Sequence, residues 1–129
     1  MLDHLSIQVD DFAAAGSFYD AVLEPLGYRR LMDFDGAAGY GEAFPSFWIG
    51  TATDAIPNRQ THIAFQAPSR EAVEAFRDAA VAVGAEVLHE ARVWPEYHPG
   101  YYGAFVRDPD GNNVEAVHHD FSAAPEADG

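Results

Sequence analysis

Asp3-His4-Leu5-Ser6-Ile7-Gln8-Val9 alternates polar and apolar residues, and Thr61-His62-Ile63-Ala64-Phe65-Gln66-Ala67 returns the same pattern. A period of two is a β-strand with two unlike faces. Leu5, Ile7 and Val9 share one face of the first strand, and Ile63, Phe65 and Ala67 one face of the second. These faces are built to pack. The opposite faces carry His4, Ser6 and Gln8, and His62, Ala64 and Gln66. In both copies a histidine opens the polar face and a glutamine follows four residues later.

The duplication extends past the strands. Asp10 or Asp11 can cap a helix, whose apolar stripe runs through Phe12, Ala15, Phe18, Tyr19, Val22, Leu23 and Leu26. Pro25 disturbs its last turn and Gly27 suits its stop. After the second strand Ser69 is the cap, Val73, Phe76, Ala80 and Val83 form the stripe, and Gly84 is the stop. The spacing from His4 to His62 recurs between Phe18 and Phe76 and, within one residue, between Gly27 and Gly84, which argues for an internal repeat. Three strand-like runs follow each helix: about 28–34, 38–43 and 46–51 in the first half, and 86–93, 101–107 and 112–118 in the second. Each half therefore reads strand, helix, strand, strand, strand. An aromatic loop, Trp94-Pro95-Glu96-Tyr97-His98-Pro99-Gly100, interrupts the second half.

Asp108-Pro109-Asp110-Gly111 predicts a type I turn with glycine in the left-handed position after it, so that Asp108 faces Asn112. Counting outward places Phe105 opposite Glu115, and partners across an antiparallel pair share a face. Glu115 then shares its side with Asn113, Val117, Phe105, Gly103 and Tyr101, while Tyr102, Val114 and Ala116 turn toward the helix. Two halves side by side would present His4, His62 and Glu115 on one concave surface.

The 129 residues, 48% of them hydrophobic, suit a single domain with a real core: residues 1–119, in modules of about 2–52 and 61–119, with 120–129 a frayed tail. No apolar run approaches the roughly 20 residues of a membrane helix, and the opening residues lack a leader pattern. There is no cysteine, which excludes disulfides and thiolate metal sites and makes the cytoplasm the expected compartment. The net charge of −14, with seven basic residues and no lysine among them, disfavours nucleic acid as a partner.

Two histidines and a carboxylate on one concave face form a set that binds Fe(II) and similar ions while leaving positions open. A carboxylate in the apolar surroundings of Val114, Ala116 and Val117 is costly unless a cation or hydrogen bonds compensate it. In these features the chain resembles the vicinal oxygen chelate superfamily, which includes glyoxalase I, extradiol dioxygenases, fosfomycin-resistance enzymes and bleomycin-binding proteins. The resemblance rests on Asp3-His4-Leu5, Phe18-Tyr19 through Leu26-Gly27-Tyr28, Thr61-His62-Ile63-Ala64-Phe65, and Phe105 through Glu115 across the Asp-Pro-Asp-Gly turn. It implies an α+β fold of two tandem βαβββ modules forming a curved, open mixed sheet, with metal ligands at His4, His62 and Glu115. The ion the resemblance implies is one divalent metal, Fe(II), Mn, Zn or Ni.

Glyoxalase I has a fourth ligand, a carboxylate on the last strand of the first half, where this chain has Trp48; Glu42 lies one strand earlier. The resemblance therefore implies an enzyme that chelates a small oxygenated substrate through two oxygens, dioxygenase-like or lyase-like rather than glyoxalase-like. The alternative is a metal-free drug-binding protein of the bleomycin-resistance type. His98 and Tyr101 are the expected proton-handling residues. Trp48, Phe105, Gln8, Gln66 and Arg107 are the expected substrate contacts. Trp94 and Tyr97 read as a lid, and His89, His118 and His119 as ordinary surface or strand-end residues. A homodimer is expected, with the site built within one chain or across two.

Overall fold

The computed structural model describes residues 1–124. The order of elements is β1 (Leu5–Val9), α1 (Phe12–Leu23), β2 (Arg29–Phe34), β3 (Ala37–Gly41), β4 (Phe47–Thr51), β5 (His62–Gln66), α2 (Arg70–Ala82), β6 (Val87–Val93), β7 (Tyr101–Arg107) and β8 (Asn113–His119). This is the duplicated βαβββ plan. The expected frayed tail opens with an ordered turn, in which Asp120 Oδ1 accepts from the Ser122 N–H and hydroxyl; residues 125–129 lie outside the described residues.

Local chemistry sets the helix ends. The Asp11 carboxylate accepts the Ala14 N–H at 3.0 Å, and the Ser69 hydroxyl accepts the Ala72 N–H at 3.1 Å, each supplying a first-turn donor with a partner. Pro25 tightens the end of α1 into a 3-10 turn, Glu24–Leu26, and Gly27 stops it at φ 90°. Gly84 does the same after α2 at φ 82°. The buried stripe of α2 ends at Ala80; Val83 lies beyond the last turn and is exposed, so it does not extend the stripe.

Each module makes its own four-stranded mixed sheet, ordered β1-β4-β3-β2 and β5-β8-β7-β6. In both, the first strand lies parallel to the last and the others are antiparallel. The Asp-Pro-Asp-Gly turn closes β7 onto β8: the Asp108 N–H donates to the Asn112 carbonyl at 3.1 Å, and Gly111 sits at φ 87°. Asp108 is itself buried and accepts the Tyr19 hydroxyl at 2.6 Å, which ties α1 of the first module to the turn of the second.

The modules join through their helix-covered faces. α1 packs on α2, and the Phe47 and Phe65 rings meet edge-on at 5.1 Å. Val9, Phe18, Leu23 and Ile49 from one half and Ile63, Val73, Phe76 and Val114 from the other form one apolar core. Consequently β1 and β5 are each the outer strand of their own sheet and pair with no strand of the other module. Among the described residues no helix is long and apolar enough to cross a membrane.

Candidate functional site

Glu115 is the one acidic residue whose side chain the second module buries on the sheet face away from its helix, at 1% exposure. The parallel pairing sets Ala64 beside Glu115 and His62 beside Asn113. The antiparallel pairing sets Phe105 opposite Glu115 and Tyr101 opposite His119. Tyr101, Phe105 and Glu115 therefore share a face, as the turn predicted. Glu115 Oε1 lies 3.0 Å from His62 Nε2, and Oε2 accepts the Tyr101 hydroxyl. Gly103 makes the seat: a Cβ there would stand 3.0 Å from Glu115 Oε2 and 3.2 Å from Tyr101 Cε1. The Phe105 ring lies against the imidazole of His62, 5.9 Å away and 20° from parallel.

The protons of this group follow from its partners. His62 Nδ1 lies 3.1 Å from the Asn113 carbonyl oxygen, which can only accept, so Nδ1 carries a hydrogen. In the neutral ring Nε2 then turns a lone pair toward the carboxylate 3.0 Å away. Two acceptors at that distance need a proton or a cation between them. Burial raises the Glu115 carboxyl above its ordinary value, opposed by the Tyr101 hydrogen bond and by the charge and hydrogen bond of His62. Burial, and then the bond and charge of Glu115, push the Tyr101 phenol well up, so it stays a donor. Half of the His62 side chain, 49%, remains exposed, so the Nε2–Oε1 pair can be approached from solvent.

The first module carries the matching positions with different chemistry. Ser6 pairs with Trp48 and Trp48 with Gly39, in the same register as Ala64 with Glu115 and Glu115 with Phe105. Trp48 is therefore the positional twin of Glu115, and Gly39 of Phe105. The missing side chain at Gly39 admits the indole; a Cβ there would lie 2.9 Å from its benzo carbons. Glu42 lies just past the end of β3, near the Tyr28 hydroxyl, and does not take the fourth-ligand position. His4 is exposed, and its Nδ1 bonds the Asp3 carboxylate at 2.7 Å. His4, Met32, Phe44 and Trp48 line an open depression of 570 Å³. The Trp48 ring also lies 2° from parallel to that of Phe34, with centroids 6.3 Å apart.

Of the residues singled out in the sequence, His62, Glu115, Tyr101 and Phe105 come together. Phe105 is 6% exposed and serves as a wall behind His62 and Trp94. Gln8 and Trp48 belong to the other sheet, and His4 lies just before its first strand. Among the described residues of one chain, no three His, Cys, Asp or Glu stand close enough to hold a metal ion. His98 pairs with His119 at 2.9 Å, beside the Tyr101 ring. Gln66 lies farther along β5, in a groove with Tyr28, Glu42 and His118. The Arg107 guanidinium is taken up by Glu86, Gln60 and the Gly111 carbonyl, bracing the turn.

Trp94, expected in the lid, is buried, its indole N–H donating to the Gly103 carbonyl at 3.0 Å. His89 is exposed on β6 and packs edge-on against Trp94 and Phe105, and His119 is the last residue of β8 and bonds His98, so both lie at the surface or a strand end as expected, with ring partners the sequence did not show. Sequence reasoning placed Gly103 on the face of Glu115 without giving it a role, and missed the Asn113 carbonyl and the Asp3–His4 bond. Only the last had a visible signal, the adjacency of the two residues.

The profile of the glyoxalase-like domain family matches residues 4–117. The uncharacterised protein YqjT of Bacillus subtilis (strain 168) is 26% identical over 129 residues, covering 90% of this chain and 97% of that protein. A glyoxalase/bleomycin resistance protein from Albidiferax ferrireducens T118 superposes with a TM-score of 0.76 at 29% identity, over 92% of this chain and 99% of that one. Lactoylglutathione lyase from Agrobacterium tumefaciens shares the fold, with a TM-score of 0.67 at 24% identity over 92% of each chain. With this match over nearly the whole chain and the duplicated βαβββ plan, the protein belongs to the glyoxalase-like domain family of the vicinal oxygen chelate superfamily.

Proposed function

We propose that the chain is a metal-dependent enzyme that binds a small substrate through two neighbouring oxygens. The observation that carries this is the pair His62 Nε2 and Glu115 Oε1, 3.0 Å apart, with His62 Nδ1 committed to a backbone carbonyl. A ligating histidine commonly donates its second N–H in this way. A separation of about 3 Å is also that of two adjacent donors around an ion whose bonds are about 2.1 Å long. Tyr101 holds Oε2 and leaves Oε1 turned to His62. The third ligand is His4 of the partner subunit, whose Nδ1 is similarly held, by Asp3. This two-chain arrangement is supported by the placement of His4 at the start of β1, in the other module, and by the open outer edges of β1 and β5.

When bound, the ion would polarise the two substrate oxygens and stabilise the negative charge that develops on them. The protein's own residues orient that event: Tyr101 and Gly103 fix the carboxylate, Asn113 fixes the imidazole, and Phe105 backs it. Trp48 at the twin of Glu115 removes the fourth carboxylate, which favours dioxygenase-like chemistry over glyoxalase-type isomerisation. Metal analysis after reconstitution and desalting tests the reading: about one tightly held divalent ion per chain, lost in Glu115→Ala, supports it, and no retained ion contradicts it.

A second reading, a metal-free binder of planar molecules, is favoured by the Trp48 indole, which lines the open depression of the first module and lies parallel to the Phe34 ring. It predicts ligand binding that Trp48→Ala abolishes and Glu115→Ala leaves intact.

A further inference from the structure

Behind Tyr101 stands a group of rings that ion binding does not use. His98 Nε2 and His119 Nδ1 are 2.9 Å apart, and the Gly100 N–H donates to His98 Nδ1 at 3.2 Å. These contacts fix the protons. A backbone N–H only donates, so His98 Nδ1 is bare and the hydrogen of the neutral ring is on Nε2. That hydrogen goes to His119 Nδ1, and His119 keeps its own on Nε2. Protonating His98 would set an N–H against the Gly100 N–H. Protonating His119 would set one against the His98 N–H. The geometry fits two neutral rings.

The pair sits in a clamp. The Asp120 N–H donates to the Gly100 carbonyl at 2.9 Å, and the backbones approach so closely that a Cβ on Gly100 would lie 1.7 Å from the Asp120 oxygen. Phe121 stacks on both imidazoles, with centroids 4.9 and 5.1 Å away. The Tyr101 ring stands edge-on to His119 at 5.1 Å and to His98 at 5.7 Å. Tyr101 directly follows Gly100, so the clamp fixes where its ring enters β7 and how its hydroxyl meets Glu115.

We propose that the His98–His119 pair is a pH-sensitive latch that positions Tyr101 on Glu115: neutral, it holds the 94–100 loop to the end of β8, and protonated, it lets go. This device holds whichever ligand the site takes. The groups facing it are Tyr97 and Tyr101 from the loop and β7, Glu115 behind Tyr101, His118 and Asp120 at the end of β8, Arg70 of α2 near Asp120, and Glu42 across the groove lined by His118 and His119. Asp120 Oδ1 accepts from the Ser122 hydroxyl and N–H at 2.6 and 3.0 Å rather than from either ring of the pair. Burial, and then the nearby His98 and His118, hold His119 below the ordinary histidine value. Neutral His119 therefore supports the fold above about pH 6.5, the unfolded value, and that support is lost as pH falls below it toward the folded value.

The test is an NMR titration of the full chain from about pH 7.5 to about 4.5, spanning the ordinary histidine value of about 6.5. It follows the imidazole nitrogens and the Tyr101 ring signal, assigned with Tyr101→Phe. In the wild type the Tyr101 signal moves with the midpoint of His119. In His119→Asn the amide oxygen accepts from His98 but cannot titrate, so Tyr101 keeps its neutral-pH signal through that midpoint. In His119→Phe the stack remains but the acceptor is gone, and Tyr101 shows its low-pH signal throughout. A Tyr101 signal indifferent to His119, or one that titrates unchanged in His119→Asn, overturns the latch; in the latter case the proton on Glu115 is what moves Tyr101.

Discussion

Gly103 lies directly beneath the Glu115 carboxylate, so close that a β-carbon on it would stand 3.0 Å from Oε2. The contact accounts for a glycine in the middle of β7, where a missing side chain weakens the strand, beside the register shift between His89 and Arg92 of the facing β6. Gly103→Ala should push Glu115 and Tyr101 apart. We expect a stability loss of about 1–3 kcal/mol, typical of overpacking, measured by urea unfolding. Metal affinity should fall at least tenfold, roughly 1.4 kcal/mol.

The Trp48–Glu115 twinning makes a second prediction. Trp48→Glu puts a carboxylate at the matching place of the first module, where Gly39 leaves room for it. Tighter metal binding, at least tenfold by competition with a chelator, is expected from a fourth ligand. Trp48→Ala should leave metal affinity unchanged and weaken only planar ligands.

The raised Glu115 carboxyl has a definite pH signature. The folded chain holds that proton more readily than the unfolded one, so in the ion-free protein Glu115 favours the fold at low pH. That contribution is lost as pH rises from the ordinary carboxylate value of about 4.3 through the folded value. Urea midpoints of wild type and Glu115→Gln, compared without metal across this range, should diverge in that sense. Metal should reverse the trend, because the ion needs the ionised carboxylate.

Tyr19 and Asp108 make a prediction about the joint between modules. Tyr19→Phe removes the donor to a buried carboxylate that otherwise accepts only from its own turn. A loss of about 1–3 kcal/mol is expected in urea unfolding, with the chain still folded.

Most of the fold was legible because alternation, caps and turn chemistry all agreed. Asp11, Ser69, Gly27, Gly84 and the Asp-Pro-Asp-Gly turn mark boundaries that the structure keeps within a residue or two. The face shared by Tyr101, Phe105 and Glu115 followed from counting outward from that turn. How the modules join was not legible. Apolar faces on α1 and α2 tell that they are buried, and say nothing about whether the two sheets lie edge to edge or back to back. For that reason His4 could not be placed relative to His62. The contacts of Arg107 and His119 were not legible, because their partners Gln60 and His98 lie far off in sequence and belong to irregular segments that carry no period.

The central claim is that His62 and Glu115 of one chain share an ion with His4 of the partner subunit. The most direct measurement is metal content in mixed dimers of His4→Ala and Glu115→Ala chains carrying different tags. Each variant alone should retain no tightly bound ion, and the mixed dimer should recover one, because one of its two sites contains all three ligands. Mixed dimers as empty as the parents, beside a wild type that holds its metal, would contradict the shared site.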